Sequence, residues 1–276
     1  MQDRFGALCA LACWGNAALG GKDVGDFAAQ VKASSFITSL EFFKSANGKE
    51  ERVASNANEW FEYVKKEGAK GIRVRDPVEH NFRTAGALVW DDNTWWLEVV
   101  KGNDEVEKYG TRWKTNEAGI KDNKWNLELV NHKVKSDRGW SETYSNVTYL
   151  RDNLRDILTE MIVFAEENVK GKGEDGESYV EAFSQSLQAL DNPDDTILSD
   201  RHKSIWLPGQ LSKEYHGLIL ASIKSWVYTA NGTWKEETFG EDFALLTEFT
   251  RLSREHFDVI CESIAAASSS TQPFLN

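Results

Sequence analysis

Between Gly71 and Val134 the sequence alternates between apolar and polar residues, which is the pattern of half-buried β-strands. Turn-forming Asn, Asp and Gly residues separate the alternating segments. The predicted strands are 71–75, 85–90, 95–100, 109–114 and 125–132. We therefore predict a tryptophan-rich antiparallel meander of four to five strands, which supplies the wall against which the flanking helices pack.

The two faces of this meander differ in polarity, because successive side chains of a strand point to opposite sides. The apolar face contains Ile72, Val74, Trp125, Leu127 and Leu129. The polar face contains Arg73, Arg75, Trp96, Glu98, Arg112 and Glu128, which we predict to be a binding surface. Glu98 and Glu128 are expected to be cross-strand partners of the arginines. Trp96 is either covered by a C-terminal helix or stands exposed as an interface anchor.

Helical periodicity is predicted on both sides of the meander. Before it, helices are expected at 5–19, from Asp26 to Asn47-Gly48, and from Asn56 or Asn58 to Gly68. After it come four amphipathic helices, the first with a clear apolar stripe between Val147 and Ala165. The predicted class is α+β, with N-terminal helices, the meander, and a C-terminal amphipathic helical layer or bundle. The domains are 1–140 and 141–276, or one single domain over 1–276.

Composition and charge narrow the range of possible functions and partners. The 276 residues are 41% hydrophobic and 28% charged, as in a soluble globular protein, and the net charge is −12. This acidity argues against nucleic acid or an anionic membrane as a partner, and it permits a basic protein partner. No apolar run reaches the ~20 residues of a membrane helix, so a cytoplasmic location is expected. The three cysteines, Cys9, Cys13 and Cys261, are predicted to be free thiols.

Candidate chemistry is sparse in this sequence. The motif Gly171-Lys-Gly-Glu-Asp-Gly176 follows a predicted helix, whereas a dinucleotide-binding loop follows a strand, so we interpret it as a connection between helices. The five histidines lack metal-ligand spacing, and no metal or cofactor is predicted. Carboxylates near the sheet tryptophans are compatible with a glycoside hydrolase or sugar-binding protein. The residues that raise this alternative are Asp91, Asp92, Glu98 and Glu128.

Three hypotheses from different classes follow. The leading one is a non-enzymatic, acidic, intracellular binding protein, for example an immunity or inhibitor protein that masks a basic partner. The alternative is a carbohydrate-active protein that uses the sheet tryptophans and carboxylates. A metal-dependent helical enzyme is the third. A concave pocket with converging carboxylates would favour the second, and histidines that hold an ion would favour the third.

Overall fold

The structure is a computed structural model that describes residues 2–46, 48–75, 95–102, 105–115, 117–122, 124–132, 146–169, 178–195, 199–228, 234 and 242–271. The α-helices in these ranges are α1 (Gln2–Leu19), α2 (Phe27–Gln30), α3 (Ala57–Lys66), α4 (Glu117–Lys121), α5 (Val147–Asn168), α6 (Tyr179–Asp191), α7 (Asp200–Lys203), α8 (Lys213–Lys224) and α9 (Phe243–Ser269). Short 3₁₀ helices span Lys32–Ser34 and Pro193–Asp195. No helix of the described chain is long and apolar enough to cross a membrane.

The described strands form one mixed sheet. They are β1 (Ile37–Ala46), β2 (Lys49–Ala54), β3 (Ala69–Arg75), β4 (Trp96–Lys101), β5 (Val106–Lys114) and β6 (Trp125–His132). Their spatial order is β2-β1-β6-β5-β4-β3. Strands β3 to β6 pair antiparallel in chain order, whereas β1 pairs parallel with β6. The protein is α+β. Strands β3 to β6 form an antiparallel meander within the predicted stretch, and β1 and β2, which were not predicted, extend it to a mixed six-stranded sheet. The predicted strand 85–90 lies outside the described residues.

The helix predicted from Asp26 to Asn47-Gly48 is wrong. Only α2 and a 3₁₀ turn follow Asp26, and β1 and β2 pair as an antiparallel hairpin. Gly48 has a φ of +73°, and an Asn-Gly dipeptide between two strands is a strong hairpin signal. The backbone of β1 pairs with β6, more than eighty positions later, and local helical spacing does not register so distant a partner.

Helix α1 lies at the centre of the molecule. Every residue from Ala7 to Cys13 is at most 2% exposed, in keeping with a helix that is apolar on all sides. It contacts β3 and α9, and α9 contacts β3 as well. Gly15 permits the close approach to the sheet, because a Cβ there would lie 2.5 Å from Cδ1 of Ile72. Helices α3 and α9 thus pack on α1 as well as on the sheet.

One side chain of α1 closes the open edge of β3. The Asn16 amide accepts a hydrogen bond from the backbone N–H of Ile72 at 2.6 Å and donates to its carbonyl at 2.7 Å. Its nitrogen also donates to Oγ1 of Thr271 at 2.9 Å. An edge strand normally leaves such groups unpaired, so Asn16 acts as a one-residue substitute for a neighbouring strand.

Four longer helices, α5, α6, α8 and α9, follow the sheet in the described chain, and α5 begins at Val147, where the first C-terminal helix was predicted. α5 packs on α6 and α9, and α8 packs on α6 and α9. The buried residues of α5 are Leu150, Leu154, Ile157, Leu158, Met161, Phe164 and Ala165, which reproduces the predicted stripe. The hydrophobic core runs without interruption from α1 and the sheet into these helices. The predicted boundary at 140–141 lies outside the described residues, and the division into domains stays a prediction.

Candidate binding surfaces

The structure brings the six predicted site residues together on one face of β3, β4, β5 and β6. Arg73 lies opposite Glu98, and Arg75 lies opposite Trp96. Farther along the sheet, Arg112 and Glu128 form a third opposed pair. Directly opposed residues share a face, so the predicted alternation of the strands is confirmed. We call these six residues the sheet ladder.

The sheet ladder is buried at one end. The side chains of Arg73 and Glu98 are each 2% exposed, and Nε of Arg73 lies 2.5 Å from Oε2 of Glu98. Oε1 of Glu98 lies 3.9 Å from Nζ of Lys108 and 4.0 Å from Nε of Arg75. Removal of one partner from such a pair typically destabilises a protein by about 3–5 kcal/mol, because the other charge stays buried alone. A binding partner cannot reach Arg73 or Glu98 in this conformation.

Trp96 adopts neither of the two arrangements predicted for it, because it is half-buried. The ammonium of Lys108 lies 4.9 Å from the centre of the indole ring, within the range of a cation–π interaction. The indole nitrogen is buried and has no hydrogen-bond partner among the described residues. Trp96 therefore belongs to the boundary between the buried and the exposed parts of the ladder.

At its exposed end the ladder continues as a network of ion pairs. The Arg112 guanidinium donates to both carboxylate oxygens of Glu50, at 3.1 and 2.6 Å, and also lies 3.0 Å from Glu128. Lys114 reaches the second oxygen of Glu128 at 2.5 Å. The hydrogen bonds to Glu50 are the main reason that the pKa of Arg112 is raised. The charges of this end are therefore paired within the sheet, where exposed pairs add at most about 1 kcal/mol each.

A second polar cluster, which was not predicted, lies on the apolar side of the sheet. Glu107 is 6% exposed, and its carboxylate lies 2.8 Å from Nζ of Lys101. Nδ2 of Asn131 donates to the same carboxylate at 2.9 Å. Burial raises the pKa of the neighbouring Tyr109, so this phenol stays protonated. Every charge here has a partner, and the cluster ties the strands together.

The outer face of α5 carries a different distribution of charge. Its residues follow one another at intervals of three or four, which places them along one side of the helix. They are Tyr149, Asp152, Asp156, Glu160, Val163 and Glu167, and all six are exposed. Tyr149 and Val163 are 56% and 51% exposed. We call these residues the α5 stripe, and along α5 they span about 27 Å at 1.5 Å per residue.

Two of the four carboxylates of the α5 stripe are not paired with a cation among the described residues. Asp156 and Glu167 form no ion pair there, whereas Asp152 pairs with Arg155 at 3.3 Å. Glu160 pairs with Arg251 of α9, which Glu248 and Glu255 also contact, each at 2.7 Å. The Arg251 guanidinium thus pairs with three carboxylates. The hydrogen bond from Arg251 lowers the pKa of the Glu248 carboxyl, so Glu248 stays ionised at neutral pH.

The three cysteines and His256 are buried in the described chain. Cys9, Cys13 and Cys261 are buried free thiols, as predicted, and burial raises the pKa of Cys13 to about 12. His256 is fully buried, and burial lowers its pKa to about 3. Its Nδ1 lies 2.9 Å from the hydroxyl of Tyr228. No group of three or more His, Cys, Asp or Glu residues in the described ranges is arranged to hold a metal ion.

Comparisons with known proteins identify no similar protein. No protein-family model, no curated protein and no solved structure matches this chain. Function must therefore be argued from the surfaces themselves. The glycine motif at 171–176 and the carboxylates Asp91 and Asp92 lie outside the described residues.

Proposed function

We propose that this chain is a non-enzymatic, acidic, intracellular binding protein whose partner is a basic protein. The α5 stripe carries the proposal. It is an exposed row of carboxylates, with Tyr149 at one end and Val163 between Glu160 and Glu167, on a helix whose other side is packed into the core. A row of one sign of charge steers an oppositely charged partner and raises its association rate. The exposed tyrosine and valine then supply apolar contact area between the charges.

The α5 stripe supports this proposal better than the sheet ladder does. In the ladder the carboxylates of Glu98 and Glu128 already contact cations of the sheet. A partner would have to break those pairs before it could form its own. On α5, Asp156 and Glu167 make no ion pair with a described residue, so a basic partner gains new pairs at no such cost. The six ladder residues remain a second predicted contact surface, at which the side chain of Arg112 is 42% exposed and that of Glu128 is 14% exposed.

The carbohydrate-active alternative has less support. Sugars stack on open indole faces, and every tryptophan of the described ranges is buried or half-buried. Glu98 and Glu128, two of the carboxylates that raised this alternative, contact cations of the sheet. An immunity or inhibitor role, in which the chain masks a basic toxin or enzyme, is the form of binding protein that suits a net charge of −12. The three buried free thiols are compatible with a reducing compartment.

Charge reversal on α5 tests the proposal. The variant Asp156→Lys/Glu167→Lys is compared with Glu117→Lys/Asp122→Lys, which changes two exposed carboxylates at α4 and alters the net charge equally. Each protein is used as bait in native lysate, and the captured proteins are identified across a salt series. We expect basic proteins to be captured by the wild type and by the α4 variant, and to be lost from the α5 variant. Equal loss from both variants would show that net charge, and not the stripe, governs binding.

A further inference from the structure

A cleft of about 300 Å³ opens between the end of α1 and the side of α3. One wall belongs to the last turn of α1 and the loop that follows it, within residues 18–25. The other wall is the side of α3 that carries Asn58, Phe61, Glu62 and Lys65. This volume lies at the lower limit of the pockets that bind small molecules, which measure about 300–1,000 Å³. None of the lining residues belongs to α5, so the cleft is separate from the α5 stripe.

Hydrogen bonds within the chain fix the loop against α3. The Asn58 amide donates to the carbonyl of Gly25 and accepts a hydrogen bond from the N–H of Phe27 at 3.1 Å. Nε2 of Gln30 donates to the carbonyl of Val24 at 3.0 Å. Gly25 has a φ of +54°, and a Cβ there would lie 2.3 Å from Nε2 of Gln30, so the loop requires glycine at this position. The shape of the cleft therefore does not depend on a ligand.

The deep part of the cleft is apolar. Phe61 is 2% exposed and Val24 is 9% exposed, and both line the cleft. The ring of Phe61 meets that of Phe27 edge-on, with centres 5.9 Å apart and planes 80° apart. Because Phe61 is held in the core in this way, it provides a fixed floor on which an apolar group of a ligand can pack.

Four charged side chains at the mouth of the cleft form no ion pair with a described residue. They are Lys22, Asp23, Glu62 and Lys65, and all four are exposed. Every distance between these ammonium nitrogens and carboxylate oxygens therefore exceeds 4.0 Å. One oxygen of Asp23 accepts a hydrogen bond from the N–H of Gly25 at 2.9 Å, which holds this carboxylate in the loop. Two cations and two anions thus surround one cavity without neutralising one another.

Charges of both signs around one cavity favour a ligand that carries both signs. An anion such as phosphate would be attracted by the two ammonium groups and repelled by the two carboxylates. A simple cation would meet the reverse arrangement. A zwitterion can place each of its charges beside the opposite one, and its apolar part can cover Phe61 and Val24.

We propose that this cleft binds a free α-amino acid with an apolar side chain. The carboxylate of the ligand pairs with Lys22 and Lys65. Its ammonium pairs with Glu62 and with the second carboxylate oxygen of Asp23. Its side chain packs on Phe61. This site goes beyond the proposed function and does not rest on it, because it uses no residue of the α5 stripe.

The test uses the full-length chain, with L-leucine and analogues that each lack one part of it as probes. Isocaproate keeps the carboxylate and the side chain, isoamylamine keeps the ammonium and the side chain, and glycine keeps both charges alone. Each probe is titrated to millimolar concentration while the backbone amide signals of Gly21 and Gly25 are followed by NMR. We expect leucine to shift these signals and to bind at least about tenfold more tightly than each of the other probes.

A lysine variant tests the carboxylate contact. Lys22→Gln/Lys65→Gln should bind leucine at least about tenfold more weakly than the wild type, because the charge-assisted contacts to the carboxylate are lost. The matched control Lys66→Gln/Lys70→Gln removes two exposed lysines that do not line the cleft and changes the net charge equally. It should bind leucine as the wild type does. Equal loss in the two variants would show that net charge alone governs binding and would overturn the site.

A carboxylate variant tests the ammonium contact. Glu62→Gln should weaken the binding of leucine and should not weaken that of isocaproate, because only leucine has an ammonium to lose a contact. Loss of both probes to the same extent would contradict the assigned contact. Equal binding of leucine and isocaproate by the wild type would identify a site for carboxylates only. Binding of no probe at millimolar concentration would exclude the site altogether.

The cleft and the α5 stripe can fail separately. Asp156→Lys/Glu167→Lys should bind leucine as the wild type does, and Lys22→Gln/Lys65→Gln should still capture the basic partner. If leucine does not bind while charge reversal on α5 abolishes capture, the cleft is wrong and the proposed function survives. If leucine binds as expected while charge reversal on α5 has no effect, the cleft survives without the proposed function.

Discussion

The sheet ladder and the α5 stripe are two charged surfaces of one chain, and they differ in how far their charges are paired within that chain. On the sheet, strand register sets Arg73 against Glu98 and Arg112 against Glu128, so opposite charges meet. On α5, carboxylates succeed one another along the helix, and Asp156 meets no cation of the described chain. A ladder of opposite charges stabilises the fold, whereas a row of like charges does not. The α5 stripe is therefore the surface whose carboxylates are available to attract a cationic partner.

The largest expected effect comes from the buried end of the sheet ladder. Glu98→Gln leaves the Arg73 guanidinium buried beside a neutral amide, and we expect a loss of about 3–5 kcal/mol in the free energy of unfolding. Urea denaturation measures this loss. The control Glu50→Gln removes an exposed carboxylate from Arg112 and should cost about 1 kcal/mol or less.

A similar cost for both variants would contradict the contrast between the buried and the exposed end of the ladder. A third variant separates charge from shape. Arg73→Met/Glu98→Leu removes both charges of the buried pair together and should be less destabilising than Glu98→Gln, because the Arg73 charge does not stay buried without the Glu98 carboxylate. Destabilisation of the double variant beyond that of the single one would mean that the hydrogen bonds of the pair, and not charge balance, stabilise this end.

Trp96 lies at the middle of the same surface, and its truncation should have an intermediate effect. A fully buried aromatic residue costs about 3–5 kcal/mol on truncation to Ala, so the half-buried Trp96→Ala should cost about 2 kcal/mol. Trp60→Ala, in which a fully buried indole is removed, provides the upper reference. Thermal and urea unfolding of the two variants measure the ratio of their losses in stability. A Trp96→Ala protein as stable as the wild type would instead identify Trp96 as an interface anchor.

The sequence could predict features that depend on near neighbours. Alternation located β3 to β6 and placed Arg112 and Glu128 on one face, and the 3.6-residue period located α5 and its buried stripe. It failed where distant segments decide the outcome. Ile37–Ala46 is a strand because β6 pairs with it. Periodicity reports which side of an element is polar, but it does not report which cation lies nearby in space.

The contacts of Arg4 with Trp113 and Trp125 illustrate the same limit. Both indoles lie on strands that the sequence predicted, and Trp125 was correctly assigned to the apolar face. Arg4, however, precedes Trp113 by more than one hundred positions. Only the packing of α1 on the sheet brings the arginine and the indoles together.

The smallest expected changes in stability come from neutralising single carboxylates, and these changes should have opposite signs on the two surfaces. Asp156 lies four residues from both Asp152 and Glu160, and like charges at this spacing each destabilise a helix by about 0.2–0.5 kcal/mol. Asp156→Asn should therefore stabilise the fold by a few tenths, about 0.5 kcal/mol, and the gain should vanish at high salt. Glu128→Gln removes a carboxylate that contacts Arg112 and Lys114, so it should destabilise by about 1 kcal/mol. Urea unfolding at low and high salt compares the two. A loss of stability in Asp156→Asn would mean that Asp156 already has a cation within the chain, and the α5 stripe would then be a self-paired surface like the ladder.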